Sequence, residues 1–283
     1  MISMTKEEIV KKCELAANNM RKSAIEIGYV ANKDKHNVHY GPAFSLIDIL
    51  ATLYIGKMNI NRNNIKNLNR DRFILSKGHG AIGLYSALYV SGIISKDEFG
   101  SFYQNGGDFP AHPVMCNDKG IEFSSGSLGM GLSLGIGTAL AGKIKNLTYE
   151  VYVLMGNGEC NEGIVWEGAM FAKFNKLKRL TVIVDNNEMQ SDGRSKNILN
   201  YDVEGVWKGF GWDVITVKDG NDIYQLYEAL CQTRESSLPR VIIANTVKGK
   251  GVSFMENNKD WHHSSLKEEQ YEIALNELTK KEK

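Results

Sequence analysis

Histidine side chains occupy several predicted turns of this sequence. Four of its six histidines fall in turns or loops rather than on apolar faces: His39, His79, His112 and His262. An imidazole can exchange a proton near neutral pH, or hydrogen-bond to hydroxyl and carbonyl groups of a substrate. Taken one at a time, each could equally be a solvated loop side chain without a function. Their spacing matches neither HExxH nor a zinc finger, so the pattern favours proton transfer and hydrogen bonding over a histidine-built metal site.

Glycine-rich corners with amide side chains are the second chemical signal. Gly156-Asn157-Gly158 follows one apolar run, and Asn186-Asn187 follows the next. Amide and backbone oxygens suit a hard cation, and glycines let a phosphate group approach backbone N–H groups. The combination predicts a cation that holds a phosphorylated cofactor, whereas an ordinary Asn-Gly turn is the simpler alternative. The corners, including Gly78-His79-Gly80 and 126–131, match neither GxGxxG nor a P-loop, which disfavours nicotinamide and P-loop nucleotide binding.

A basic turn follows the last predicted strand. The sequence Lys248-Gly-Lys-Gly251 ends an apolar run and precedes Trp261-His262-His263. A mobile surface loop and a basic turn beside a diphosphate both explain it, and the two interpretations stay open at this point.

These residues need a scaffold that brings the turns together. Strands and helices alternate along the chain, which predicts an α/β fold with a doubly wound, mostly parallel sheet flanked by helices. The carboxyl ends of parallel strands meet at one edge, so the turns that follow them should form one ligand site. A single domain over residues 1–283 is the economical interpretation. Strands are predicted at 73–75, 151–155, 180–184, 212–217 and 240–246, and helices at 81–90, 132–141 (buried throughout), 164–174, 201–208, 223–231 and 266–278.

The N-terminal part of the chain carries further local predictions. Thr5 and Glu8 form a capping box that begins a helix. His39 would lie on a turn that leads into another helix. Residues 31–39 are predicted to be a loop, Tyr40-Gly41-Pro42 to break the chain, and Ser45 to cap a helix over 46–55.

Composition limits the partners and the compartment. The formal charge is +1, with 34 Lys and Arg against 33 Asp and Glu, which gives no electrostatic reason to expect nucleic acid or a membrane as partner. The four cysteines form no CxxC pair, which predicts reduced thiols. The N-terminus lacks the pattern of a signal peptide and no apolar run is long enough to span a bilayer, so we expect a cytoplasmic protein.

In combination, the motifs resemble the N-terminal, diphosphate-binding half of transketolases, in the split form where a partner polypeptide carries the other half. That family's thiamine diphosphate signature is Gly-Asp-Gly followed later by Asn-Asn or Asp-Asn, and Gly156-Asn157-Gly158 with Asn186-Asn187 is similar to it. The resemblance extends over nearly the whole chain in order. Further similar motifs are His39 with Gly41, Ser76-Lys77-Gly78-His79, Gly126-Ser127-Leu128, His112-Pro113, and His262 after Lys-Gly-Lys-Gly.

The resemblance implies thiamine diphosphate as cofactor, bound through a divalent cation that is Mg²⁺, with Ca²⁺ or Mn²⁺ as alternatives. Glu162 and Glu167 would lie near the dimer interface between cofactor sites. The implied metal ligands are Asn157, Asn187 and the Met189 carbonyl. The implied cofactor-binding residues are His79, Gly126, Ser127, Leu128, Gly156, Asn157, Gly158, Glu159, Asn187, Lys248 and His262. The implied catalytic residues, which would orient the ketose hydroxyls and move protons, are His39, His79, His112 and His262.

The resemblance also implies what the chain must obtain from elsewhere. The activating glutamate and the sugar-phosphate site of transketolases belong to the pyrimidine-binding half, which is absent from residues 1–283. We therefore expect a partner chain, the C-terminal transketolase subunit, with assembly into a dimer of heterodimers. The expected reaction is transfer of a two-carbon ketol unit between sugar phosphates.

Two departures from the family pattern leave alternatives open. Asn157 replaces the metal-binding aspartate and contributes no negative charge, and Val38, Tyr40 and Pro42 surround His39 where the family has Gly, Pro and Gly. A specialised thiamine diphosphate enzyme for an unusual sugar, or a non-catalytic subunit with a weakened metal site, would also explain the sequence. An α-keto acid dehydrogenase subunit, or a synthase that joins pyruvate to a sugar phosphate, fits less well because His112 and His262 together resemble transketolases.

Overall fold

A parallel β-sheet forms the centre of the structure, a computed structural model that describes residues 4–234 and 237–280. Its strands are β1 (Arg72–Leu75), β2 (Val151–Gly156), β3 (Leu180–Asp185), β4 (Asp213–Val217) and β5 (Arg240–Ala244). They lie in the order β1-β2-β3-β5-β4, and each neighbouring pair is parallel. The sheet therefore confirms the predicted α/β class.

Helices connect the strands and cover the sheet. They are α1 (Lys6–Lys33), α2 (Tyr40–Phe44), α3 (Ile47–Ala51), α4 (Ala81–Val90), α5 (Lys96–Gly100), α6 (Met130–Ile144), α7 (Gly163–Phe174), α8 (Ser195–Ile198), α9 (Val203–Gly209), α10 (Ile223–Cys231) and α11 (Glu268–Lys280). None of the described helices is both long and apolar enough to cross a membrane.

The two faces of the sheet are both buried. Side chains alternate along each strand, so Tyr152 and Leu154 of β2 pack into a core with α1, α3 and α4. Val151, Val153 and Met155 face the opposite side, where they pack with α6 and α7. This explains why the strands are almost continuously apolar, as expected for a parallel sheet covered on both faces.

The segment before the site differs from its prediction. The capping box at Thr5 is confirmed, but α1 continues to Lys33, so the loop predicted over 31–39 starts too early. Ala31 is buried against the core, which favours continuation of the helix to that point. Tyr40-Gly41-Pro42 does not break the chain and instead begins α2. Proline is tolerated there because its missing N–H lies in the first helical turn.

Ser45 is not the helix cap that the sequence predicts. Its hydroxyl is fully buried and donates to the carboxylate of Asp185 at 2.6 Å and to the carbonyl of Pro42 at 3.2 Å. The predicted helix over 46–55 is divided into α3 and a π-helical turn, Thr52–Lys57. The buried carboxylate of β3 competes for the hydroxyl, which a local sequence pattern could not reveal.

Helix α6 is only half buried, although it is predicted to be buried throughout. Gly131 and Gly135 pack against the sheet, whereas Gly137 and Ile144 are exposed. Within the described residues, nothing covers the outer side of this helix. The apolar sequence therefore produces an exposed apolar surface as well as a core contact.

Candidate active site

A cavity of about 310 Å³ opens at the carboxyl ends of β2 and β3. Every predicted site residue except Ser127 lines it, and Pro42, Lys77, Gln190 and Ser191 complete its wall. Parallel sheets commonly bind ligands at this edge because the turns after several strands meet there. The structure thus brings residues from distant chain segments to one place.

Ser127 is the predicted residue that lies outside this cavity. It is exposed and lines a neighbouring surface cavity of about 410 Å³, together with Gly126 and Met130. Its part in binding a cofactor stays a prediction.

The four predicted histidines form one cluster. The ring of His39, which immediately precedes α2, lies 5.7 Å from that of His79, 5.6 Å from that of His112 and 5.6 Å from that of His262, measured between ring centroids. The rings of His79 and His262 are 5.3 Å apart. His79 follows β1, whereas His112 and His262 come from loops before α6 and α11. A substrate in the cavity would therefore meet several imidazoles together.

The cluster is held in the neutral form at pH 7. Burial, followed by the neighbouring histidines and Lys248, lowers the pKa of His39 to about 3. Burial and the nearby lysines lower the pKa of His262 to about 4, and burial with Lys77 lowers that of His79 well below its ordinary value. The pKa of His112 is also lowered, mainly by burial. A neutral imidazole carries one donor and one acceptor, so each ring can give or take a hydrogen bond.

A fifth histidine, His263, joins the cluster although the sequence pattern did not single it out. Its ring stacks on that of His39, with centroids 4.2 Å apart and an angle of 22° between the planes. It is exposed, so it covers the outer side of His39. The sequence signal for His263 was its position next to His262, but adjacency does not show which of these two side chains faces the cavity.

Two buried lysines line the cavity. Lys77 forms an ion pair with Asp185 below the cavity. Lys248 donates to the carbonyl of Gln190 at 3.0 Å and lies 3.1 Å from Nδ1 of His262. Within the described part of the chain Lys248 has no ion-pair partner, and burial lowers its pKa to about 8. Since it is only 1% exposed, the alternative of a mobile surface loop is wrong for this residue.

Glu159 holds three corners of the cavity together. Its buried carboxylate accepts hydrogen bonds from the hydroxyl of Ser76, from the N–H of Gly129 at 2.7 Å and from the N–H of Gly156 at 3.1 Å. Ser76 follows β1, Gly129 immediately precedes α6, and Gly156 ends β2. Burial raises the pKa of Glu159, and the hydrogen bonds oppose that rise.

Two asparagine amides face the cavity from neighbouring strand ends. Asn157 donates through Nδ2 to the hydroxyl of Ser195 at 2.7 Å. Asn187 donates through Nδ2 to the carboxylate of Asp185 at 3.2 Å, and its Oδ1 accepts from the N–H of Met189 at 3.0 Å. Both side chains are buried, and both line the cavity with Met189. Amide and carbonyl oxygens of this kind are suitable ligands for a hard cation.

Gly158 lies where a side chain would not fit. A Cβ atom on this residue would lie 2.9 Å from Cγ of Gln190. The backbone of the glycine turn is therefore packed directly against the loop that follows β3. Gly158 also lines the cavity, so its backbone borders the space that a phosphate group would enter.

A parallel α/β sheet with a histidine-lined cavity at its carboxyl edge defines the class of α/β proteins whose ligand sites lie at that edge. Residues 14–281 match the family described as transketolase, thiamine diphosphate binding domain. The chain belongs to this family. The family that the sequence resembles is therefore confirmed.

Individual relatives are similar over most of this chain. It is 36% identical over 275 residues to one of the subunits of the apulose-4-phosphate transketolase from Phocaeicola vulgatus, covering 96% of this chain and 95% of that protein. It is 38% identical over 244 residues to SqwG, a 6-deoxy-6-sulfo-D-fructose transketolase subunit from a Clostridium species, covering 86% and 88%. The crystal structure of transketolase from Campylobacter jejuni superposes with a TM-score of 0.85 at 27% identity, covering 98% of this chain. This chain spans only 43% of that one.

Proposed function

We propose that this chain is the diphosphate-binding subunit of a two-subunit transketolase, which transfers a two-carbon ketol unit between sugar phosphates. The observation that carries the proposal is the convergence of His39, His79, His112 and His262 on one cavity, whose wall also contains the buried Lys248. In this proposal residues 1–283 form one diphosphate-binding domain of a cytoplasmic enzyme, and the free state of all four cysteines is consistent with that compartment.

The residues present suit thiamine diphosphate. Lys248 is a buried cation that lacks a carboxylate partner within the described residues, which favours an anionic group beside it. Gly158 would let the backbone approach a diphosphate, and His79, which lines the same cavity, would add a hydrogen bond. Gly126 and Leu128 line this cavity as well. When bound, the cofactor would supply the carbanion chemistry, and this chain would position it and move protons.

A divalent cation would be held by oxygen ligands. We assign Asn157, Asn187 and the carbonyl of Met189 to this role, because the three residues line one cavity and carry oxygen donors. Oxygen donors select Mg²⁺, with Ca²⁺ or Mn²⁺ as alternatives. An amide in place of a carboxylate at Asn157 lowers the negative charge around the cation by one, so we expect weaker metal retention than an aspartate would give.

The histidines would act on the reacting end of the sugar. Their lowered pKa values keep the rings neutral at pH 7, so each can donate to one hydroxyl oxygen and accept a proton from another. His39 occupies the centre of the cluster and is the best placed to exchange a proton with its neighbours. Burial also excludes water from this side of the cavity.

A second protein chain is part of the proposal. Several apolar side chains of α6 and α7 are exposed, among them Ile144, Met170, Phe171 and Phe174. Leu128, which lines the cavity and precedes α6, is exposed as well. Exposed apolar patches of this kind mark protein interfaces. We assign this surface to a C-terminal subunit that carries the pyrimidine-binding half and the activating glutamate, in a dimer of heterodimers with Glu162 and Glu167 near the interface.

Two observations support this occupant. The chain spans 43% of the transketolase from Campylobacter jejuni, so a protein of that family contains a large additional part. The relatives from Phocaeicola vulgatus and Clostridium are named as subunits, and this chain covers nearly all of each. A second polypeptide is therefore the natural source of the remaining half.

A specialised substrate is the second candidate function. His263 places an additional imidazole against His39, and Pro42 of α2 lines the cavity. Tyr40 is buried in the core beneath them. The relatives are named for apulose 4-phosphate and 6-deoxy-6-sulfo-D-fructose. A substrate panel for this chain should therefore include both sugars besides xylulose 5-phosphate.

The test uses the chain together with the protein that carries the pyrimidine-binding half. We expect each protein alone to be inactive, and the mixture to transfer a ketol unit in the presence of thiamine diphosphate and Mg²⁺. Turnover by this chain alone would overturn the two-subunit proposal. Failure of the assembled complex to bind thiamine diphosphate, measured by calorimetry, would favour a non-catalytic subunit instead.

A further inference from the structure

We propose that Ser195 is a positioning residue that fixes the amide of Asn157 with its oxygen toward the cation. The inference rests on the proposed function, because it concerns the metal ligands of the same site. It arises from the hydrogen bond that Nδ2 of Asn157 donates to Oγ of Ser195 at 2.7 Å. An unoriented amide could present either end to the cavity, and only one end can bind a metal.

The difference between aspartate and asparagine makes this bond necessary. A carboxylate has two equivalent oxygens, so an aspartate offers a metal ligand whichever way its side chain is turned. An asparagine has one oxygen and one NH₂ group, and the NH₂ group facing a cation would repel it. A site that uses an amide in place of a carboxylate therefore needs a group that holds the NH₂ end away.

The main-chain hydrogen bonds of Asn157 leave the orientation of its side-chain amide undetermined. The backbone N–H of Asn157 donates to the carbonyl of Asp185 at 3.2 Å. The backbone carbonyl of Asn157 accepts from the hydroxyl of Tyr201 at 3.1 Å. The main chain is thus fixed. Across residues 4–234 and 237–280, no donor contacts Oδ1 of Asn157, and the hydrogen bond to Ser195 is the side-chain contact that favours the observed orientation of its amide.

The second amide of the site is oriented in the same way. Asn187 donates through Nδ2 to the carboxylate of Asp185 at 3.2 Å and to the hydroxyl of Ser45 at 3.3 Å. Both amides therefore donate through their NH₂ groups, although Oδ1 of Asn187 also accepts from the N–H of Met189 at 3.0 Å, whereas Asn157 is held through its NH₂ group alone. Ser195 accepts a hydrogen bond from the NH₂ group of Asn157, as Asp185 and Ser45 accept from that of Asn187.

Ser195 also links Asn157 to the loop that bears Met189. The N–H of Ser195 donates to the carbonyl of Glu188 at 2.8 Å, and Met189 pairs with Arg194 in an isolated β-bridge. The hydroxyl of Ser195 caps no helix, because the N-cap of α8 is Arg194 and makes no side-chain cap bond. The hydroxyl is therefore available to orient Asn157.

The experiment measures the Mg²⁺ concentration that gives half-maximal thiamine diphosphate binding, by calorimetry on the assembled complex. Ser195→Ala should raise this concentration about three- to tenfold, which is the usual weight of one hydrogen bond. Ser195→Thr keeps the hydroxyl and should stay within about twofold of the wild type. At saturating Mg²⁺ the Ser195→Ala complex should bind the cofactor nearly as the wild type does.

The decisive control is Ser195→Ala in a chain that also carries Asn157→Asp. Either carboxylate oxygen can bind the cation, so Ser195→Ala should have a clearly smaller effect on the Mg²⁺ midpoint in that background. An equal effect in both backgrounds would show that Ser195 only supports the loop, and no effect in either would also overturn the inference. If the wild-type complex shows no Mg²⁺-dependent binding at all, the proposed function fails and this inference fails with it.

Discussion

Lys77 and Asp185 form an ion pair beneath the cavity in which the side chains are only 2% and 0% exposed. Asp185 also accepts hydrogen bonds from Ser45, Asn187 and Thr246. A buried charge is tolerated only when it is paired and hydrogen-bonded, so the lysine and the carboxylate depend on each other. Because Asp185 ends β3, this pair fixes the floor of the cavity to the sheet.

Removing the lysine from this pair should destabilise the chain strongly. Lys77→Met leaves Asp185 as an uncompensated buried charge, and we expect a loss of about 3–5 kcal/mol in the free energy of unfolding. Lys208→Met is the control, since Lys208 pairs with Glu204 but is 58% exposed, and should change stability by less than about 1 kcal/mol. Urea unfolding of both variants provides the comparison. Similar effects of the two substitutions would contradict a buried, interdependent pair.

Replacing Lys248 should have opposite effects on stability and on cofactor binding. Burial lowers its pKa from 10.5 to about 8, so the folded chain disfavours the charged form. This lowers the free energy of unfolding below pH 8, and the loss is recovered as pH rises from 8 to 10.5. At pH 7, Lys248→Met should therefore stabilise the cofactor-free chain by roughly 1–3 kcal/mol. The same variant should bind thiamine diphosphate more weakly. Thermal unfolding and calorimetry measure the two effects, and destabilisation at pH 7 would count against this account of Lys248.

Acidification should weaken the fold through the histidine cluster. The pKa of His39 is about 3 in the folded chain and about 6.5 when unfolded. The unfolded state therefore binds more protons between these values, and stability falls as pH drops from 6.5 towards 3. His39→Asn should make this fall less steep by up to about 1.4 kcal/mol per pH unit between pH 6 and 4. His36→Asn, at an exposed histidine outside the cluster, is the control, and equal slopes for all three proteins would refute the prediction.

Two glycines on one helix should respond in opposite directions to alanine. A Cβ at Gly135 would lie 2.3 Å from Cγ2 of Val153, where α6 packs on β2, so Gly135→Ala should destabilise by about 1–3 kcal/mol. At Gly137 nothing lies within 4 Å of the added Cβ. Gly137→Ala should therefore stabilise by roughly 0.5–1 kcal/mol through helix propensity. Thermal unfolding of the isolated chain distinguishes the two, and stabilisation at Gly135 would show that the helix can move off the sheet.

The exposed surface of α7 should be required for assembly. Phe174 is 82% exposed in this chain, and Phe174→Asp should weaken binding of the C-terminal subunit at least tenfold, since aromatic anchors dominate interfaces. Leu15→Asp is the control, because Leu15 is also apolar and 56% exposed but belongs to α1, which packs on the face of the sheet opposite α6 and α7. Size-exclusion chromatography of each mixture shows whether the complex forms. Loss of assembly in both variants, or in neither, would contradict the assignment of this surface.

Much of the fold follows from the sequence because its signals are local. The helices Ala81–Val90 and Ile223–Cys231 have the predicted bounds, and the apolar runs form the predicted strands. The exceptions at Tyr40 and Ser45 arise from tertiary contacts: Ser45 binds Asp185, which is 140 positions away in the sequence. A pattern read over a few residues cannot contain such a contact.

The site could be predicted in outline for a similar reason. Turns after parallel strands meet at one edge, so His79, Asn157 and Asn187 had to lie close together. His263 was missed because two adjacent histidines differ only in which way each side chain points. The orienting contact of Ser195 was also missed, since a lone serine after a loop has no distinctive pattern.

The carboxylate of Glu159 has a consequence for how the cavity comes into being during folding. It joins Ser76, Gly129 and Gly156, which are contributed by three segments that are far apart in the chain. The three hydrogen bonds can exist together only when all three segments are in place. We therefore expect the cavity to be completed with the tertiary structure, and a displacement at one corner to be transmitted to the other two.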